Sequence, residues 1–199
     1  MAPPQGDFLR GAQPETPELF FCQYLKGYGW CFRKGRYLNI GLGREDNHRL
    51  AEHLTAFCDF LKQRGKTPAA IPDKFHGHAY LLHGHGMRKQ VDDGVLLVGD
   101  AAGLAYPQSG EGIRPAVESA LLAAATIVQA GKDYRRENLA PYQERLVARF
   151  GTGRRAGNLL PQWALHFIGG KLLGNPWFTR HVMLDRWFLH ARQGALRPS

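Results

Sequence analysis

The stretch that most constrains this chain runs from Gly94 to Gly131. Four apolar residues, Val95 to Val98, stop at Gly99-Asp100. A loop of small residues then leads through Pro107 to Gly110-Glu111-Gly112-Ile113, and an Ala-rich segment follows to Ala130. A short apolar run bounded by glycines reads as a strand buried on both faces. The Ala-rich segment reads as one long helix over Glu111 to Ala130, stopped by Gly131, whose small side chains permit close packing. The pairing is what matters. A carboxylate at the end of a buried strand accepts hydrogen bonds from ligand hydroxyls, and a helix N-terminus in the same crevice turns free N–H groups toward an electron-rich group. Ala101-Ala102-Gly103 lets the backbone come close, and Pro107 fixes a turn.

The rest of the chain reads as what surrounds that crevice. Residues 1–18 hold Pro3, Pro4, Pro14 and Pro17 and form an irregular lead-in. Leu19 to Leu25, Tyr28 to Phe32 and Tyr37 to Leu42 read as three strands. Turns at Lys26-Gly27 and Lys34-Gly35 make them an antiparallel meander. Alternation puts Tyr28, Trp30 and Phe32 on one face and Cys31 on the other, where it packs. Leu50, Leu54, Phe57, Phe60 and Leu61 recur at helical spacing in a helix over Asn47 to Arg64, with Asp46 or Asn47 as its cap. Lys74 to Leu82 reads as a further strand, and Asp133 to Phe150 contains a helix with Pro141 near an N-terminal turn. Beyond Gly151 come helical segments broken at Gly169-Gly170 and Gly174-Asn175-Pro176. The last, His181 to Ala191, aligns Leu184, Trp187, Phe188 and Ala191.

Composition narrows the class. Cys22, Cys31 and Cys58 form no CxxC pair, so reduced thiols in the cytoplasm are expected rather than a disulfide framework. Met1 to Asp7 has neither a basic nor an apolar segment of a secretory signal, and there is no apolar run of about 18 residues. The net charge is +9, and from Gly151 onward seven Lys/Arg face Asp185 alone. Trp163, Trp177 and Trp187 lie in that same third. A solvated basic face accounts for these residues, with peripheral contact to anionic membrane headgroups as the alternative. No nucleic-acid partner is expected, because charge without a recognisable module does not specify one. His76-x-His78 and His83-x-His85 have ligand-like spacing, yet no carboxylate or cysteine joins them, so they read as solvent-facing and no metal is expected.

The segment GVLLVGDAAGLAYPQSGEGIRPAVESALLAA resembles the second FAD-binding motif of flavoproteins related to p-hydroxybenzoate hydroxylase, and more closely the geranylgeranyl reductase family. The resemblance implies that Asp100, after Gly99, contacts the ribityl chain of FAD. It also implies that Pro107, Gly110, Glu111, Gly112 and Ile113 lie along the isoalloxazine, with the helix dipole stabilising negative charge on the ring. Glu111, beside a helix start, is expected to be ionised and structural. Gly27-Tyr-Gly-Trp-Cys-Phe-Arg-Lys-Gly35 is similar to the family's Tyr-x-Trp-x-Phe-Pro-Lys-Gly strand pair. That similarity implies an isoprenoid or other hydrophobic substrate held by Tyr28, Trp30 and Phe32; Arg33 stands where the family has Pro. The resemblance covers Leu19 to Gly131 and implies reduction of isoprenoid double bonds, with NADPH or another reductant as electron donor.

The expected fold class is α/β, or α+β for the chain taken by itself. Residues 1–93 are expected to be part of a substrate sheet, 94–131 the second FAD motif and 132–199 a helical region. There is no Gly-x-Gly-x-x-Gly after any strand, so the ADP-cradling unit of the family is not in this sequence. A truncated relative, or a C-terminal piece completed by a partner chain that supplies the Rossmann half, is the corresponding expectation. An aromatic-ring monooxygenase sharing the flavin motif is one alternative, and a non-catalytic remnant or subunit is another.

Overall fold

The computed structural model describes residues 18–22, 26–35, 37–46, 49–67, 71, 75–84, 89–152, 172 and 175–196. It divides into two units, Met1–Gly77 and His78–Ser199. In the first unit β1 (Glu18–Phe21), β2 (Gly27–Lys34) and β3 (Tyr37–Arg44) form an antiparallel sheet in the order β1-β2-β3. The meander is the one the alternation and glycine turns call for. Its first strand is shorter than expected, and 23–25 lie outside the described residues. Trp30 pairs with Gly41 across the sheet, and a Cβ at position 41 would collide with the indole, so the glycine makes room for it. The indole N–H donates to Asn39 Oδ1 at 2.7 Å.

Helix α1 (Leu50–Gln63) covers the opposite face. A Cβ on Gly29 would come 2.5 Å from the Phe57 ring, and Phe20 packs edge-on against Phe60 with centroids 5.6 Å apart. Cys31 is buried on this side, as its alternation requires, and burial pushes its thiol pKa up. The cap of α1 differs from expectation. Arg49 occupies the position in the left-handed region (φ 52°) with no side-chain cap, and Asp46 instead accepts two hydrogen bonds from Arg44, at 2.8 and 3.0 Å. A bidentate guanidinium outcompetes a helix N–H for that carboxylate. Asn47 lies outside the described residues.

The second unit begins differently from its sequence reading. Val95–Val98 is not a buried strand: β5 (Val95–Leu96) pairs only with β4 (Val91–Asp92), antiparallel, through a turn with Gly94 at φ +66°. Val95 is 47% exposed and Val98 36%. An apolar run becomes a buried strand only when neighbours cover both edges and both faces, and among the described residues β4 is its one neighbour. Residues 75–81 likewise join no sheet; Leu82 makes a single parallel bridge to Ala105, and Lys74 lies outside the described residues.

The core of this unit gathers Val91, Leu104, Leu122, Leu139, Tyr142 and Leu146. They come from β4, from α2 (Ile113–Ala130) and the loop before it, and from α3 (Arg136–Leu139) and α4 (Pro141–Phe150). Helix α2 starts at Ile113, not Glu111, because Gly110 at φ +66° and the Tyr106 N–H to Glu111 O bond (2.9 Å) hold the preceding residues in a turn. Pro141 takes the first position of α4, where its missing N–H costs nothing. The Tyr142 hydroxyl donates to Leu97 O at 2.7 Å.

At the C-terminal end Asn175 caps α5 (Pro176–Phe178), accepting from the N–H groups of Trp177 and Phe178. The chain then widens into a π-helix, Thr179–Phe188. Its buried residue is Met183, while Leu184, Trp187 and Phe188 are half-buried and Ala191 lies exposed beyond the helix end. The wider turn breaks the α-helical spacing on which the expected apolar face was drawn. Trp163, Gly169, Gly170 and Gly174 lie outside the described residues. The architecture is mixed, helices with small antiparallel sheets, the α+β form expected for the chain by itself. Among the described residues no helix is long and apolar enough to cross a membrane.

Candidate functional site

Gly99 opens the site. It adopts φ +53°, a conformation other residues rarely take, and starts a 3-10 turn, Gly99–Ala102. A Cβ there would lie 2.9 Å from the Ala116 Cβ, so the turn rests directly on α2. The Gly99 N–H donates to the buried Ser119 hydroxyl at 2.9 Å, fixing the approach.

This contact delivers Asp100 to the start of α2. A Cβ on Gly112 would lie 2.8 Å from Asp100 Oδ1, so the carboxylate occupies the space that glycine leaves. Its other oxygen is 3.3 Å from His78 Nε2, and the side chain stays 41% exposed. At Gly110 a Cβ would meet the Tyr80 hydroxyl at 2.9 Å; that hydroxyl donates to Gly110 O, also at 2.9 Å. Burial, with the charges of Asp100 and Glu111, pushes the Tyr80 phenol up, so it remains a proton donor at neutral pH.

The helix start itself is short of partners. The Arg114 N–H is taken by Glu111 Oε1 at 3.0 Å, and Pro115 has no N–H to offer. The N–H groups of Gly112 and Ile113 have no partner among the described residues. They carry the positive end of the eighteen-residue helix α2. Glu111 is structural in the expected sense, since it caps the helix, and its Oε2 is buried without a partner among the described residues.

Of the residues singled out in the sequence, Gly99, Asp100, Gly110, Glu111, Gly112 and Ile113 converge here, with Pro107 in the turn that Gly110 N–H closes onto Tyr106 O (2.7 Å). Tyr28, Trp30 and Phe32 share the β2 face turned away from α1 in the first unit, with Tyr28 and Trp30 ring centroids 6.0 Å apart. Sequence reasoning missed Tyr80 and Ser119 and read His78 only as solvent-facing. The alternation His78-x-Tyr80-x-Leu82 was the available signal.

The donor set suits a flavin. The Asp100 carboxylate would accept from ribityl hydroxyls, and the N–H groups of Gly112 and Ile113, without partners among the described residues, would serve an electron-rich pyrimidine edge. Gly110 and Gly112 let the Tyr80 hydroxyl and the Asp100 carboxylate sit against the backbone. Among the described residues no three His, Cys, Asp or Glu side chains gather as metal ligands.

Comparison with known proteins gives a consistent picture. The chain is 35% identical to a digeranylgeranylglycerophospholipid reductase of Methanocaldococcus jannaschii over 122 residues, covering 60% of this chain and 31% of that protein. It is 32% identical to the reductase of the same name from Methanococcus vannielii over 132 residues, 64% of this chain and 34% of the relative. A third, digeranylgeranylglycerophospholipid reductase 2 of Methanosphaera stadtmanae, is 34% identical over 131 residues, covering 62% and 32%. The resemblance to geranylgeranyl reductases therefore holds over about 60% of the chain. The matched part spans about a third of the length of these curated relatives. No family model matches the chain, and no solved structure does.

Proposed function

We propose that this chain carries the flavin-side wall and the aromatic substrate sheet of an FAD-dependent reductase of isoprenoid double bonds. The observation that carries the reading is the placement of Asp100 against Gly112 at the mouth of α2, inside the motif that resembles the family's flavin site. Asp100 accepts hydrogen bonds from the ribityl hydroxyls. The N–H groups of Gly112 and Ile113, at the positive end of α2, favour negative charge on the pyrimidine edge. Gly110, Gly112 and Pro107 keep the backbone close and rigid there. Bound in this place, the flavin supplies the reducing equivalents for an alkene, replenished by NADPH or another reductant. Tyr28, Trp30 and Phe32 bind a prenyl chain, which offers no hydrogen bonds and needs large apolar faces. The ADP half of FAD comes from a Rossmann half outside this sequence, on a partner chain or a longer polypeptide. The basic Trp-rich C-terminal third meets the membrane surface that holds the lipid.

Fluorescence titration of the purified chain with FAD, with and without a Rossmann half from a relative, tests this. Weak binding that tightens with the added half is expected, with D100A weakening it about tenfold, the loss of one charge-assisted hydrogen bond. Flavin affinity unchanged by D100A, or no flavin binding in either arrangement, refutes the reading. In the reconstituted protein, Y28A/W30A is expected to lose prenyl turnover, and unchanged turnover removes these residues from the substrate site.

A further inference from the structure

Tyr106, at the base of the flavin-motif turn, also closes one end of an open cleft of about 440 Å3 on the C-terminal side of the second unit. Arg149, Arg186 and Arg192 line it with His190, Gln193 and the Phe150 ring, and among the described residues no carboxylate does. Arg149 is held rigid: its Nε donates to Glu118 Oε2 at 2.8 Å and its Nη2 to Gly194 O at 2.8 Å. Glu118 is shared with Arg114, whose Nε lies 2.9 Å from Oε1, so one carboxylate serves two guanidiniums. Arg186 and Arg192 are exposed and have no hydrogen bond or ion pair among the described residues. Asp185, the neighbour of Arg186, is directed to Arg180 at 3.9 Å and His181 at 3.2 Å. Arg149 is thus balanced by Glu118, while Arg186 and Arg192 leave the cleft a positive excess that no carboxylate among the described residues offsets.

Gln193 adds a neutral donor. The Tyr106 hydroxyl donates to Gln193 Oε1 at 2.8 Å, which leaves the amide NH2 of Gln193 for a ligand. His190 stacks on Tyr106 with centroids 3.7 Å apart, and its Nε2 is buried without a partner among the described residues. Burial holds the His190 imidazole below its ordinary range, and the one N–H of the neutral ring is engaged with the Trp187 carbonyl, which leaves Nε2 an acceptor. Planar guanidiniums beside an amide donor match the oxygens of a phosphate, which accepts many hydrogen bonds and carries the opposite charge. The volume falls in the range of small-molecule sites and exceeds what a bare phosphate needs.

We propose that this cleft binds the phosphate group of a phosphate ester, with Arg149 as the fixed contact and Arg186 and Arg192 closing on it. The cleft is lined by none of the residues assigned to the flavin, so the proposal does not rest on the flavin reading. Two sources offer this chemistry, a soluble phosphate ester and the headgroup of a phospholipid.

The test uses the full chain without flavin. Calorimetric titration with inorganic phosphate and with glycerol phosphate at low salt is compared between the wild type, R186Q/R192Q and R180Q. Sedimentation with phosphatidylcholine vesicles, with and without phosphatidic acid, follows. Arg186 and Arg192 are exposed and make no hydrogen bond or ion pair among the described residues, so the double variant is expected to keep its melting temperature and to bind the phosphate probes at least about tenfold more weakly. R180Q, outside the cleft, is expected to bind as the wild type does. Glycerol phosphate bound with vesicles ignored identifies a soluble ester. Retention on phosphatidic acid vesicles that depends on Arg186 and Arg192 identifies a lipid headgroup. Equal binding by R186Q/R192Q, an equal loss in R180Q, or no binding of any probe overturns the proposal.

Discussion

Glu118 is the most consequential charge in the second unit, and its replacement by glutamine is the sharpest test of how that unit is held. Its side chain is 7% exposed and lies between Arg149, 18% exposed, and Arg114, 27% exposed. Through these guanidiniums it secures the segment after the π-helix: Arg114 donates to Gln193 O at 2.8 Å and to His190 O at 3.3 Å, and Arg149 donates to Gly194 O. E118Q keeps the shape but removes the charge, leaving two cations side by side in a poorly hydrated place. Breaking such a network costs roughly 3–5 kcal/mol, and the partial exposure of Arg114 points to about 3 kcal/mol. For a unit of this size that is a fall in melting temperature of roughly 10 °C. The pH dependence adds a second signature. Burial raises the Glu118 carboxyl pKa, but Arg149 and Arg114 more than reverse this and leave it lowered. A lowered folded-state pKa means the unfolded chain protonates first. The stabilisation is then present above the ordinary carboxylate pKa of about 4.3 and is lost as pH falls through the folded value. Urea unfolding followed by circular dichroism from pH 7 down to acid should show the gap between wild type and E118Q closing below about pH 5. A gap under about 0.5 kcal/mol at pH 7, or one that does not shrink on acidification, refutes the reasoning.

Three further outcomes are expected. G112A places a Cβ 2.8 Å from Asp100 Oδ1 at a residue whose φ of −123° tolerates alanine, so the half-exposed carboxylate swings aside. Stability should fall by about 1 kcal/mol or less while flavin affinity drops about tenfold, and unchanged affinity in a fluorescence titration counts against Asp100 as a ligand. Y142F removes the bond to Leu97 O and should cost about 1–2 kcal/mol in urea unfolding. Burial pushes the Tyr142 phenol up to about 12, so its contribution is full below the ordinary tyrosine value and is lost as pH rises through the folded one. Alkaline titration by ultraviolet absorbance should lose its highest step in Y142F. Cys31 and Cys58 are each 5% exposed with raised pKa values caused first by burial, while Cys22 is partly exposed. A thiol reagent should therefore label one cysteine quickly and the other two only on unfolding; three equally fast reactions would contradict that packing.

What could be read from the chain was whatever its own neighbours determine. The β2–β3 hairpin follows from alternation on either side of Lys34-Gly35, and the end of α2 follows from Gly131. The closeness of Asp100 to Gly112 was legible because only twelve positions separate them and a glycine marks each end of the turn. The burial of Val95–Val98 was not legible, because burial of a strand belongs to the strands and helices around it. The α1 cap failed for a similar reason, since Asp46 had a stronger suitor in Arg44. Around the site, His78, Tyr80 and Ser119 reach their partners across 22, 30 and 20 residues of chain. Contacts at that separation leave no local pattern. The face of the C-terminal helix was misread because its residues were projected on an α-helical wheel.

That widened helix sets an angular phase. Each residue of Thr179–Phe188 advances less around the axis than an α-helical residue does, and the Leu189 N–H reaches back five residues to Leu184 O at 2.8 Å. The offset accumulates along the segment, so everything after it is dialled to a different bearing from the one an α-helix of equal length would give. His190 meets the face of Tyr106, and Arg186 turns toward the same cleft as Arg149, only at that setting. A one-residue deletion within Thr179–Phe188 that leaves every cleft side chain in the sequence would let the helix tighten and swing both away together. The winding of one short helix thus acts as a vernier for a binding surface built mostly from other parts of the chain.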